Sequence, residues 1–103
     1  MFYGTWIRVL DEKGRIAIPE DFVEEFGARV VIVPDSNCIL LYPDKSAGIF
    51  SDEEISRIRI VRIRDRVRVT IPKEFRDRFF QGCNRVKWEG WRNYFRILPH
   101  HET

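Results

Sequence analysis

The chain has 103 residues, 44% of them hydrophobic and 33% charged, with a formal net charge of +2. That length and balance suit one soluble domain burying about two-thirds of the surface its unfolded chain would expose. No apolar stretch approaches the ~20 residues that span a bilayer. The opening Met1-Phe2-Tyr3-Gly4-Thr5-Trp6 shows no basic region followed by an apolar run, so the expectation is a cytoplasmic protein without a membrane partner.

Phe2 to Leu10 reads as a strand, and Asp11-Glu12-Lys13-Gly14 supplies turn chemistry: an Asp that bonds its own backbone and a Gly free to take positive φ. Arg15-Ile16-Ala17-Ile18 is the predicted return strand. Pro19 suits the first position of a helix, Glu20 and Asp21 suit the positive end of its dipole, Phe22 and Phe26 share a face, and Gly27 stops it. Val30 to Val33, a Pro34-Asp35-Ser36-Asn37 turn and Cys38 to Tyr42 form a second hairpin. In the connector, Ser51-Asp52-Glu53-Glu54 is a capping sequence for one or two helical turns.

From Arg62 to Ile71 the even positions are polar and the odd ones mostly apolar, which is strand periodicity, with Asp65 marking a turn. Pro72 to Phe80 is the next predicted helix, with Phe75 and Phe79 inward and Gly82 as its stop. Val86 to Trp88, a turn at Glu89-Gly90, and Tyr94 to Leu98 make the last hairpin. The second half thus repeats the first: Pro19 and Pro72, Phe22 and Phe75, and Phe26 and Phe79 each lie 53 positions apart. Neither copy is large enough to bury a core alone. The expected architecture is mostly β with short α-helices, two hairpin-helix-hairpin repeats folded onto each other in one pseudo-symmetric domain. Its divisions are repeat one at 1–43, a connector at 44–57, repeat two at 58–99 and a tail at 100–103, all within one domain.

Charge is unevenly divided between the halves. Residues 1–51 hold five Lys/Arg against eight Asp/Glu (−3), and residues 52–103 hold thirteen against eight (+5). Such asymmetry suits self-association or a polyanionic partner. Arg62, Arg64, Arg66 and Arg68 would project from one strand face at about 6.5–7 Å intervals, close to the phosphate spacing of a DNA strand. A two-stranded ribbon fits a major groove, where Arg pairs bidentately with guanine; the competing reading is a solvated face paired with acidic side chains. Lys13 and Arg15 flank the Gly14 turn as a second cationic tip, which gains weight if the fold joins it to Arg66 and Arg68. Trp88, Trp91, Tyr94 and Phe95 read as core or interface packing rather than base-stacking platforms.

Catalytic chemistry finds no support: there is no phosphate-binding Gly-rich loop and no Ser or Cys nucleophile near a His base. Cys38 and Cys83 have no Cys or His at metal-ligand spacing and read as small buried hydrophobes, and His100 and His101 as tail residues. The expectation is a non-enzyme with no metal and no cofactor.

Three segments, Met1-Phe2-Tyr3-Gly4, Leu10-Asp11-Glu12-Lys13-Gly14-Arg15-Ile16-Ala17-Ile18-Pro19 and Cys38-Ile39-Leu40-Leu41-Tyr42-Pro43, together resemble the MraZ family, part of the AbrB/SpoVT/MazE group of swapped-hairpin DNA-binding proteins. The resemblance covers residues 1–43 well and 60–99 more loosely. It implies that the two hairpin-helix-hairpin repeats interleave into one pseudo-twofold swapped-hairpin β-barrel. The implied function is that of a transcriptional regulator that assembles into homo-oligomeric rings and binds repeated double-stranded DNA elements upstream of division and cell-wall genes. It also implies that the Asp-x-x-Gly-Arg turn, here Asp11, Lys13, Gly14 and Arg15, faces DNA. Val67 stands where the motif has Gly, so the second turn is expected to differ in geometry. The combined candidate set is Lys13, Arg15, Arg64, Arg66 and Arg68 as DNA-binding cations, with Asp11, Gly14 and Asp65 shaping the turns. Two rival readings are an antitoxin of the same fold that also binds a toxin protein, and an assembly module whose Arg face meets acidic proteins.

Overall fold

The computed structural model describes residues 1–65 and 67–101. Its elements in order are β1 (Thr5–Val9), β2 (Arg15–Ala17), a 3-10 turn (Glu20–Phe22) running into α1 (Val23–Phe26), β3 (Arg29–Pro34) and β4 (Ile39–Pro43). A second 3-10 turn (Asp44–Ile49) leads to α2 (Asp52–Ile55), β5 (Arg59–Arg62), β6 (Arg68–Thr70), α3 (Lys73–Phe79), β7 (Arg85–Gly90) and β8 (Phe95–Pro99). The protein is mostly β with a few short helices, as its periodicities indicate.

The strands form two separate antiparallel sheets. One has six strands in the order β1-β7-β8-β4-β3-β5, and the other is a ribbon of β2 and β6. The expected closed barrel is corrected here: the larger sheet is open, with β1 and β5 as its edges. The cause lies at the Asp11–Arg15 turn. β2 does not return along β1; it leaves to pair with β6, while β1 pairs with β7 from Thr5↔Glu89 to Val9↔Arg85. Strands of three residues whose ladder is already used on each other do not join the two sheet edges.

Local chemistry explains the short helices. Pro19 and Pro72 occupy N-cap positions rather than the first helical one, at φ −53° and −54°. Gly27, at φ +85°, ends α1 in a conformation a side chain would resist. Before α2, Ser51 and Glu54 form the anticipated capping box, with reciprocal bonds of 3.2 and 3.0 Å. In α3 the inner face differs slightly from expectation: Phe75 and Phe80 are buried, while Phe79 packs at the core margin.

The core lies where sheet, ribbon and helices meet. The sheet contributes Val30, Ile32, Ile39, Leu41, Trp88, Phe95 and Ile97, and the ribbon side contributes Ile16, Ile18, Val69 and Ile71. Phe2, Phe22, Phe26 and Phe95 form an aromatic cluster with ring centroids 4.8–6.1 Å apart, a spacing that favours ring–ring contact beyond simple burial. Cys38 is buried, Cys83 is half-buried, and both are free thiols. Trp88 and Phe95 belong to the core, whereas Trp91 is exposed. Among the described residues, no helix is long and apolar enough to cross a membrane.

Candidate nucleic-acid interface

The β2–β6 ribbon has two unlike faces because side chains alternate along each strand. Ile16 and Val69 lie opposite each other and are fully buried, which pins one face to the core. The other face carries Arg15 opposite Thr70 and Ala17 opposite Arg68. Arg15 and Arg68 are therefore diagonal neighbours, about 7–8 Å apart at that register. Further rungs extend the ribbon at both ends: the Ile71 N–H donates to the Gly14 carbonyl and the Ile18 N–H to the Val67 carbonyl, each at 2.7 Å. These end rungs are four residue steps apart, roughly 13 Å, comparable to the width of a major groove.

The first turn is organised around one carboxylate. Asp11 Oδ1 accepts from the backbone N–H groups of Lys13 (2.9 Å) and Arg15 (2.8 Å), and Oδ2 accepts from Arg15 Nε at 2.8 Å. The Asp11 N–H donates to the Arg15 carbonyl and the Gly14 N–H to the Asp11 carbonyl. The Arg15 backbone N–H is the main reason that the Asp11 carboxyl sits below its ordinary pKa; partial burial opposes the shift, and the Arg15 guanidinium and Lys13 N–H reinforce it. Arg15 thus spends Nε on Asp11 and keeps the terminal end of its guanidinium fork for another acceptor. Gly14 has φ +79° and, although in a turn, is buried. The Arg76 side chain from α3 lies over it, and a Cβ built on Gly14 would fall 2.5–2.7 Å from Arg76 Nε, Cδ and Cζ.

The second turn reaches a similar backbone frame by other means. The Arg64 N–H donates to the Arg68 carbonyl (2.7 Å) and the Val67 N–H to the Arg64 carbonyl (3.1 Å), matching the bonds of the first turn. Where the first turn uses the Asp11 carboxylate, the Arg64 carbonyl accepts from the Arg68 N–H at 2.8 Å. Positive φ falls on Asp65, at +51°. The expectation that this turn differs is met, and Asp65 tolerates the left-handed region better than a β-branched residue would.

One expectation is corrected. The arginine run does not line one strand face: Arg62 ends β5, Arg64 opens the turn and Arg68 belongs to β6. Arg62 instead lies opposite Arg29 at the sheet edge, and Arg59 pairs with Glu74 at 2.6 Å. The condition set for the first tip is met for Arg15 and Arg68, which the fold brings together on one ribbon face. The two turns stand at opposite ends of that ribbon, with Lys13 in the first and Arg64 bridged to Arg68 in the second, both exposed. Arg66 lies outside the described residues. Arg76 was missed in the sequence; its only signal is that positions 14 and 76 are Gly and Arg where positions 67 and 23, each 53 away, are both Val.

The result is a β-protein presenting a narrow cationic ribbon held on an apolar core, a shape suited to a polyanion. A family model described as "MraZ protein, putative antitoxin-like" matches residues 1–62, and the chain belongs to the MraZ family. A protein named Transcriptional regulator MraZ from Syntrophomonas wolfei subsp. wolfei is 52% identical over 44 residues, 42% of this chain and 31% of that one. Those of Moorella thermoacetica and Shewanella sediminis are 43% identical over 44 residues and 49% over 49, again 42% of this chain and 31% and 32% of theirs. The chain spans about a third of the length of the curated relatives it matches.

Proposed function

We propose that this protein is a sequence-specific DNA-binding transcriptional regulator, not an enzyme, and that the outer face of the β2–β6 ribbon is its recognition surface. The observation that carries this reading is the placement of Arg15 and Arg68 as diagonal neighbours on the solvent face, with their strands anchored through Ile16 and Val69. Lys13 and Arg64 would add phosphate contacts, with Arg66, outside the described residues, as a further candidate, while Arg15 and Arg68 reach phosphate or base edges. Membership of a family whose relatives are named transcriptional regulators supports the same conclusion.

The chain reads as one domain, 1–103, made of two swapped-hairpin copies at 1–43 and 58–99 joined by 44–57 and ending in a tail at 100–103. Supporting this, both strand orders are unchanged when β1–β4 are exchanged for β5–β8. Self-association and a cytoplasmic location complete the proposal. The wording of the family description keeps one alternative in view, an antitoxin that binds a toxin protein as well as DNA. Co-purification of a stoichiometric partner encoded beside the gene would favour that reading.

The test is binding of the purified protein to the duplex upstream of its own gene and to a scrambled duplex of equal length, across a salt series. A regulator prefers the upstream duplex, and its affinity falls by about 0.9 log units per log unit of salt for each phosphate contact. Equal, weak binding to both duplexes would reduce the ribbon to a basic surface, and no binding would remove DNA as the partner.

A further inference from the structure

We infer that Arg76 is a positioning residue for the DNA-facing turn, a reading that rests on the proposed function above. Three contacts form a short relay between α3 and that turn. Arg76 Nε donates to the Ile71 carbonyl at 3.0 Å, the Ile71 N–H donates to the Gly14 carbonyl at 2.7 Å, and the Arg76 side chain lies against the bare Cα of Gly14. The helix end of the relay is fixed, because Phe75, the preceding residue, is buried in the core. The turn end is fixed by Asp11, which bonds both the backbone and the guanidinium of Arg15.

The absence of a side chain at Gly14 therefore serves two purposes. It permits φ +79° and opens the space that the Arg76 side chain fills. The pair related by the 53-residue offset has neither member of this contact: Val67 stands for Gly14 and Val23 for Arg76. Val67 is 36% exposed, whereas Gly14 is buried. A brace made of these residue types therefore stands at the Gly14 end alone among the described residues. Arg76 acts on DNA through Arg15: it holds the turn in the shape that aims the Arg15 guanidinium.

A positioning role and a direct phosphate contact predict different results. For Arg76→Ala, affinity for the upstream duplex falls about tenfold while the slope of log affinity against log salt is unchanged. Arg76→Lys keeps the charge but not the planar group, and it fails to restore affinity. In both variants the backbone amide resonances of residues 11–15 shift in the free protein, and those of Arg64 and Asp65 do not. A slope reduced by about 0.9 together with rescue by Arg76→Lys would make Arg76 a phosphate contact and overturn the proposal. Unchanged affinity, or unmoved amides at residues 11–15, would overturn it as well. The amide measurement needs no DNA, so it decides the positioning claim even if the wild-type protein fails to distinguish the two duplexes.

Discussion

The turns at Asp11–Arg15 and Arg64–Arg68 share a backbone frame and differ in almost everything that stiffens it. In the first, a carboxylate accepts two backbone N–H groups, a buried Gly takes the left-handed conformation, and Arg76 closes the space above it. In the second, the Arg64 carbonyl replaces the carboxylate, Asp65 takes positive φ, and Val67 is left partly exposed. Two turns 53 positions apart can thus keep the same backbone hydrogen bonds while one is shaped by a carboxylate, a Gly and a packed arginine and the other is a simpler reversal. If both turns meet DNA, the first contributes more through geometry and the second more through charge.

The largest effect is expected from making the first turn like the second. Gly14→Val forces a β-branched residue into φ +79° and drives its side chain into Arg76, so stability should fall by about 3 kcal/mol. The reverse exchange, Val67→Gly, should cost no more than about 1 kcal/mol, the added backbone entropy of Gly at a partly exposed position. Denaturant melts of the two variants check the pair, and similar losses would show that the turns are not differently built.

Next in size are the ribbon cations. Arg15→Ala and Arg68→Ala should each lower affinity for the upstream duplex about tenfold, equivalent to ~1.4 kcal/mol, with little change in melting temperature. Salt titration separates a phosphate contact from a base contact: the account gives each variant a slope loss of about 0.9 if its arginine meets phosphate. A variant that binds as the wild type does would remove that residue from the interface.

Acidification offers a gentler probe of the first turn alone. The Asp11 carboxyl is held below its ordinary pKa in the folded chain, so its stabilising bonds are present above the unfolded value of about 3.9 and are lost as pH falls through the folded value. Asp11→Asn should therefore melt below the wild type at neutral pH, with the gap persisting down to about pH 4 and closing beneath it. A gap that stays constant to pH 2 would mean the carboxylate charge does not shape the turn. The smallest change should come from Asp65→Gly, which removes a left-handed side chain and leaves stability within about 0.5 kcal/mol of the original.

Much of this organisation was legible in the residues because its causes are local. Pro19 and Pro72 mark helix starts, Ser51 and Glu54 mark a capping box, and alternating apolar residues mark the strands. Alternation tells which side of a strand is buried but not which strand lies beside it, so the pairing of β2 with β6 rather than β1 could not be read. The arginine run misled for a related reason: its even spacing continues through the turn, so Arg62 and Arg68 keep a common parity while lying on different strands. The Gly14–Arg76 contact joins residues far apart in the chain, and neither position announces the other without the comparison to Val67 and Val23.

The central claim is that the solvent face of the β2–β6 ribbon meets DNA. Its most direct test is the salt dependence of upstream-duplex binding by the Arg15→Ala/Arg68→Ala double variant, measured beside the wild type. The account predicts an intact fold, weaker binding and a slope smaller by about 1.8, two phosphate contacts' worth. An unchanged slope and affinity in a folded double variant would place the interface elsewhere on the molecule.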